Sequence, residues 1–418
     1  MMVNTSAMPA NAKQSGIGYA HVYVAGYLLF TLNLETVFHV SQFVLVTKIV
    51  MMAGATLGLF GAKRLILPFL CASTIVFIAA FSGMFTSYPY FSWGNWIRAL
   101  NQLFVPLALL SISPNRRDAA ILLSGFAVAP IVCLVAGCIY DLAGLHRLFS
   151  AEYGSGILRL QGALIPAFMG AISVGGSVAS LLLWISGRKK WLYIFIINSM
   201  LLVLTAARMP IAVWALIVGY LLLFQVRLAP LHKIGFITIL VGGGLAFLFS
   251  FGDSLLARAG TSGTSGRDVL WRHYELLIKT YPDFGVGLGN SILTVPHQTS
   301  IQVGGVVAAH NEFLRIPAEV GVIPAALILI LFLIMMVARW IRLGAGNALI
   351  PISTAAFLLY CYTDNSVATP SNYPIVVIAV LGAMLMAATN QSTRKAQRIN
   401  LSRETVKIRT RPGAGVDR

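Results

Sequence analysis

Charge is scarce in this sequence, and acid is scarcer still. Only 10% of the 418 residues are charged, and thirteen are Asp or Glu. Soluble domains carry about 25% charge. With 58% hydrophobic residues and a mean hydropathy of +0.82, such a chain cannot solvate its own surface, which excludes a soluble globular fold. The acids are scattered and form no D-x-D pair, so a metal-dependent transferase centre of that type is excluded. The four cysteines, Cys71, Cys133, Cys138 and Cys361, stand in or beside apolar runs and read as small hydrophobes in packed helices. Cys133 and Cys138 lack a metal-binding spacing, so neither a metal, an organic cofactor nor a disulfide is expected. A Walker loop and a G-x-S-x-G elbow are absent too. Gly285-Val286-Gly287-Leu288-Gly289 is rich in glycine, but no strand-to-helix unit surrounds it, so a nucleotide site is not expected.

What the chain does have is one apolar run after another. At about 20 residues per crossing, the runs predict an all-α polytopic membrane protein of about twelve transmembrane helices. They fall near 19–37, 42–60, 65–84, 93–112, 119–141, 165–186, 191–207, 209–226, 234–251, 320–340, 347–364 and 373–390. Residues 1–17 are polar and the first run is long enough to stay as an anchor, so no cleavable signal is expected. The net charge of +17 would suggest nucleic acid in a soluble protein. Here Lys63-Arg64, Arg116-Arg117, Arg188-Lys189-Lys190, Arg227 with Lys233, and Arg339 with Arg342 fall in alternate links. Basic links face the cytoplasm. The N-terminus (1–18) and the basic tail (391–418) are therefore expected inside, the tail near anionic headgroups, with no nucleic-acid partner.

This orientation divides the chain into helices 1–9 (19–250), one large extracytoplasmic loop (251–320) and helices 10–12 (321–390). Inside the loop, Leu270, Trp271, Tyr274, Leu277, Ile278 and Tyr281 recur at helical spacing, and Pro282 stops the run. That pattern predicts an amphipathic helix lying in the headgroup layer. Thr261-Ser262-Gly263-Thr264-Ser265-Gly266 before it reads as a flexible hinge.

Outside loops are normally poor in Lys and Arg, so the cations there need a reason. Arg208 stands in the tight link between the seventh and eighth spans; it either snorkels to headgroups or grips a lipid-borne phosphate through its planar fork. Arg267 follows the hinge and Arg159 precedes the sixth span; each reads either as a solvated loop residue or as a phosphate ligand. Arg98, after Trp93 and Trp96, snorkels or joins a phosphate site. Lys48 lies deeper and takes no assigned role. Arg315, three residues after Glu312 and four before Glu319, reads as part of an ion-pair ladder. His310 ends the large loop where the chain re-enters the membrane. A neutral imidazole there suits proton abstraction from an incoming hydroxyl, against the plainer reading of a structural histidine at a helix entrance.

The string His310-Asn311, nine residues, then Gly321 resembles the signature of O-antigen ligases, in the superfamily that includes Wzy-type polysaccharide polymerases. Thr205-Ala206-Ala207-Arg208, Gly266-Arg267 with Leu270-Trp271, the glycine turn at 285–289 and Arg159-Leu160-Gln161-Gly162 agree in order. One departure is Ala207, where the family often has Ser. The resemblance implies a membrane glycosyltransferase of the C-type fold in the bacterial inner membrane. Its donor would be a glycan on undecaprenyl pyrophosphate, and its acceptor a repeat unit or lipid A–core glycan. Transfer would be metal-independent and inverting. By that resemblance His310, Arg267 and Arg208 are catalytic and Arg159 and Asn311 bind substrate; Arg98 joins the substrate-binding set from its place beside the outer aromatic belt. Polymerase and ligase share donor and chemistry and stay open. The rival class is a twelve-helix transporter of glycan or another solute, which would place its polar features near the midplane.

Overall fold

The computed structural model describes residues 18–40, 42–151, 158–226, 267–303, 307–344, 347–367 and 369–388, with a few single positions between. The predicted span 234–251, the hinge 261–266 and the two ends of the chain lie outside the described residues.

The elements run α1 (Tyr19–Leu32), α2 (Leu34–Phe38), α3 (Gln42–Gly61), α4 (Ile66–Phe85), α5 (Trp93–Ser111), α6 (Arg116–Leu142), α7 (Pro166–Ile185), α8 (Trp191–Leu204) and α9 (Arg208–Gln225). They continue with α10 (Arg267–Thr280), α11 (His297–Gln302), α12 (Glu312–Val320), α13 (Val322–Leu343), α14 (Leu349–Thr363) and α15 (Pro374–Ala388). Two short antiparallel ladders join β1 (Lys63–Arg64) to β2 (Ile112–Ser113), and β3 (Phe149–Ala151) to β4 (Leu158–Leu160).

Among the described residues, α3, α4, α6, α7, α9 and α13 are long and apolar enough to cross a membrane, while α1, α8, α14 and α15 are apolar but shorter. The helix α5 is long but not apolar enough, because Asn95, Arg98, Asn101 and Gln102 fill its first half. The predicted run 19–37 breaks at Asn33, whose backbone turns left-handed (φ 48°) and starts α2.

The central helix is α7. Every residue from Met169 to Leu183 is buried, and α6, α8 and α9 pack on it. Gly170 lets the start of α9 come close, Gly176 admits Pro130 of α6 and Asn198 of α8, and Gly175 faces Ile378 of α15, which is how helices associate in lipid. By contrast few residues of α3 and α13 are buried. Large side chains such as Phe60, Ile66, Phe77 and Ile323 stand open on the surface, as befits a face that meets lipid rather than water.

Arg339, expected in an inside link, is instead buried within α13, where its Nη1 donates to the Ile112 carbonyl at 3.0 Å. Arg339 lies about 26 Å along α13 from Val322, so the β1–β2 ladder and the His310 region mark opposite ends of the bundle.

Candidate active site

His310 is placed by its two neighbours. Before it, the Ala309 carbonyl accepts the Trp271 indole N–H at 2.9 Å. After it, the Asn311 side-chain oxygen caps α12 by accepting the Phe313 N–H at 2.9 Å. Between them His310 holds φ 49°, a left-handed conformation that costs a non-glycine residue on the order of 1–3 kcal/mol. Asn311, expected to bind substrate, is buried, and its side-chain oxygen is occupied in this cap.

The imidazole Nδ1 lies 3.0 Å from Asp364 Oδ1. That carboxylate closes α14, accepts the Asn365 N–H at 2.8 Å and receives Asn372 Nδ2 at 3.4 Å. A carboxylate on Nδ1 assigns the proton to that nitrogen and leaves the Nε2 lone pair available. The two side chains are 30% and 16% exposed, shielded but within reach of a substrate. Sequence reasoning missed Asp364. The signal for it was an acid at the end of an apolar helix, which is costly in a membrane unless it has a task.

A buried ion network underlies the pair. Arg315 bonds Glu312 at 2.6 Å and Glu319 at 2.5 Å, so the expected ladder is present, though inside the protein. Glu312 Oε1 also accepts the Val367 N–H at 2.7 Å, and Ser291 Oγ donates to Glu319 at 2.5 Å. Burial pushes the Glu312 carboxyl up from its ordinary range, with Arg315 pulling it back. Burial also works against the charge on Arg315, but Glu312 and Glu319 outweigh it and hold the guanidinium above its usual value. The network thus ties α12 to the 291 turn and to the 364–372 link.

The glycine turn and Gly321 clasp each other. Val286 N–H donates to the Ala318 carbonyl at 2.9 Å, and Val322 N–H to the Pro282 carbonyl at 2.8 Å. Gly285 (φ 61°) and Gly321 (φ 93°) both sit where a Cβ would run into the opposing backbone. This is a structural seam. The apolar face of α10 is spent in the same place: Leu270, Tyr274 and Leu277 are buried against α12 and its surroundings. The expectation that this face rests in the headgroup layer is corrected, because protein already covers it. Arg267 opens α10 one turn before Trp271, and thus near Ala309; its side chain lies outside the described residues.

Arg159 and Arg208 meet at a second turn. Thr205 Oγ donates to the Leu202 carbonyl at 2.7 Å and accepts the Ala207 N–H at 3.3 Å. Ala206 is left-handed (φ 49°), and the Thr205 carbonyl accepts Arg159 Nε–H at 2.9 Å. Arg208 then starts α9 with its side chain exposed. Arg159 therefore braces the turn that presents Arg208.

Two cavities open near these elements, and His310, Asp364, Arg208, Arg159 and Arg98 line neither of them. One, of about 360 Å³, is lined by Glu35, Lys48, Gln102, Leu164, Thr369 and Pro370 among others. Thr369 and Pro370 belong to the link that begins at Asp364; Leu164 belongs to the strap that begins at Arg159. Asn33 fastens that strap by donating to the Ala163 carbonyl at 2.7 Å. Arg98, exposed, stands one turn before Gln102 on α5. The second cavity, about 320 Å³, is almost wholly apolar and runs from Glu312 and Val367 past Ile316, Ile328 and Phe357. No described contact joins Arg208 to His310 directly.

A bundle of lipid-facing helices with this polar apparatus at one end defines a polytopic membrane protein. Residues 193–329 match the model of the protein family described as O-antigen ligase. That stretch is similar to the O-antigen ligase domain, a family of glycosyl-transferring enzymes. It contains Arg208, Arg267 and His310, whereas Arg98, Arg159 and Asp364 lie beyond its limits. No curated protein matches the chain.

Proposed function

We propose that this protein transfers a glycan from undecaprenyl pyrophosphate to a sugar hydroxyl on the outer face of a bacterial inner membrane, with both chain ends in the cytoplasm. The observation that carries the reading is the His310–Asp364 pair. It is a base with one nitrogen fixed and the other open, and Glu312, two residues on, lines the apolar cavity.

In this reading His310 Nε2 takes the proton of the acceptor hydroxyl as its oxygen bonds to the anomeric carbon. The bond from that carbon to the phosphate oxygen breaks on the opposite face, so configuration inverts. The electron pair leaves on undecaprenyl pyrophosphate, and Arg208 and Arg267 neutralise the added charge. Arg159 holds Arg208 in place, and Arg98 extends the cationic side. The imidazolium then returns its proton to water. The apolar cavity beneath Glu312 suits part of the isoprenoid chain.

The test is surface-glycan analysis in a deletion strain complemented with His310→Ala. Long chains retained on undecaprenyl pyrophosphate identify a ligase acting on lipid A–core. Single retained repeat units identify a polymerase. Normal glycan with normal protein levels overturns the proposal.

A further inference from the structure

At the end of the bundle opposite His310, three arginines from two links stand over a single cleft. Arg116 and Arg117 open α6, and Arg188 comes from the turn after α7. All three are exposed. Beneath them the cleft runs between α1 and α6, lined by Val24, Leu28, Ile121, Ser124 and Val128, with a volume of about 860 Å³. Its floor is Gly125, where α1 comes so close that a Cβ would strike Val24.

The dimensions choose the ligand. From Arg116 to Val128 the cleft follows α6 for about 18 Å. One leaflet of hydrocarbon is half of the roughly 30 Å core. The cleft therefore spans a leaflet's acyl depth with guanidinium groups at its mouth. A soluble anion would need polar partners along that depth, and below the arginines the cleft offers His21, whose Nδ1 already accepts the Gly18 N–H at 3.3 Å, and Ser124. Among the described residues neither Arg116 nor Arg188 forms an ion pair. Asp118, the acid of the same turn, bonds back to Asn115 at 2.9 Å. Lys63 and Arg64 at the same end do not line the cleft: they lie in the β1–β2 ladder, with Arg64 over the Phe69 ring.

We propose that this cleft is a binding site for an anionic phospholipid of the cytoplasmic leaflet. The phosphate is forked by Arg116, Arg117 and Arg188, and an acyl chain lies against Val24, Ile121 and Val128. The site is separate from the glycosyl-transfer apparatus, and lipid retention is read whether or not the enzyme turns over.

The full chain, purified in detergent, is incubated with cardiolipin, phosphatidylglycerol or phosphatidylcholine, washed, and examined by native mass spectrometry and thermal unfolding. Wild type should retain the anionic lipids through a wash that strips phosphatidylcholine, and melt at a higher temperature with them. The triple variant R116Q/R117Q/R188Q should retain at least about tenfold less anionic lipid. The triple Lys variant keeps the charge that sets topology and should retain an intermediate amount, since it loses the fork. Ile121→Trp fills the cleft with every arginine intact and should also lose the lipid. Equal retention of all three lipids by wild type overturns the site. Wild-type retention by Ile121→Trp, or by the triple Gln variant, overturns it as well.

Discussion

In the proposed mechanism His310 works as a base only while Asp364 keeps hold of its other nitrogen. Asp364→Asn should therefore lower kcat by about a hundredfold or more and leave the KM for the lipid-linked donor nearly unchanged. Steady-state assays in proteoliposomes read both. Arg208→Ala should abolish transfer with protein levels maintained, and Arg208→Lys should recover only part of it, since an ammonium lacks the planar fork. The residue scale also shows what a sequence does and does not reveal. Arg315 was legible because its partners lie three and four residues away, the spacing of one helix face. His310 stood out by ending the polar loop. Asp364 lies 54 residues beyond it, and a contact across that distance leaves no periodic trace.

Elements show the same division between a pattern and what meets it. The spacing in α10 identified an apolar face, but periodicity names the face and not its partner, and α12 proved to be the partner rather than lipid. The glycine turn and Gly321 belonged to one signature in the sequence, but nothing there showed that they touch; they form one seam. Gly321→Ala should strain that seam from both sides and lower the thermal midpoint of the purified protein. Arg315→Ala would leave Glu312 and Glu319 buried without their cation, a loss of about 3–5 kcal/mol, visible in the same melt. Acid should loosen the 267–303 region through His273. Burial holds its pKa below the ordinary 6.5, and its Nε2 lies 2.9 Å from Thr294 Oγ1. The folded form keeps this ring neutral, whereas the unfolded form accepts a proton near 6.5. The stabilisation is therefore complete above 6.5 and declines as pH falls toward the folded value. Glu312, with its raised carboxyl, runs the other way, so the measure is a difference. Between pH 7 and 5, hydrogen exchange in 267–303 should rise more in wild type than in His273→Gln.

For the whole molecule, the alternation of basic and neutral links predicts which side each end of the bundle faces. Phosphatase fusions at the 144–148 link should be active and those at 188–190 inactive; the reverse pattern would turn the proposed site toward the cytoplasm. Apolar runs made most of the helices legible, because a crossing is a matter of length and composition. The break at Asn33 and the polar first half of α5 were not, since both serve packing around a cavity that no run of residues displays.

The link from Asp364 to Asn372 carries one more implication. It grips the imidazole at one end, lends Val367 to the apolar cavity and lends Thr369 to the polar one. Whatever settles into either chamber leans on the same few peptide units that orient His310. A vacant enzyme and a loaded one are then unequally poised, and hydrogen exchange across 364–372, with and without lipid-linked donor, would read how far cargo sets the trigger.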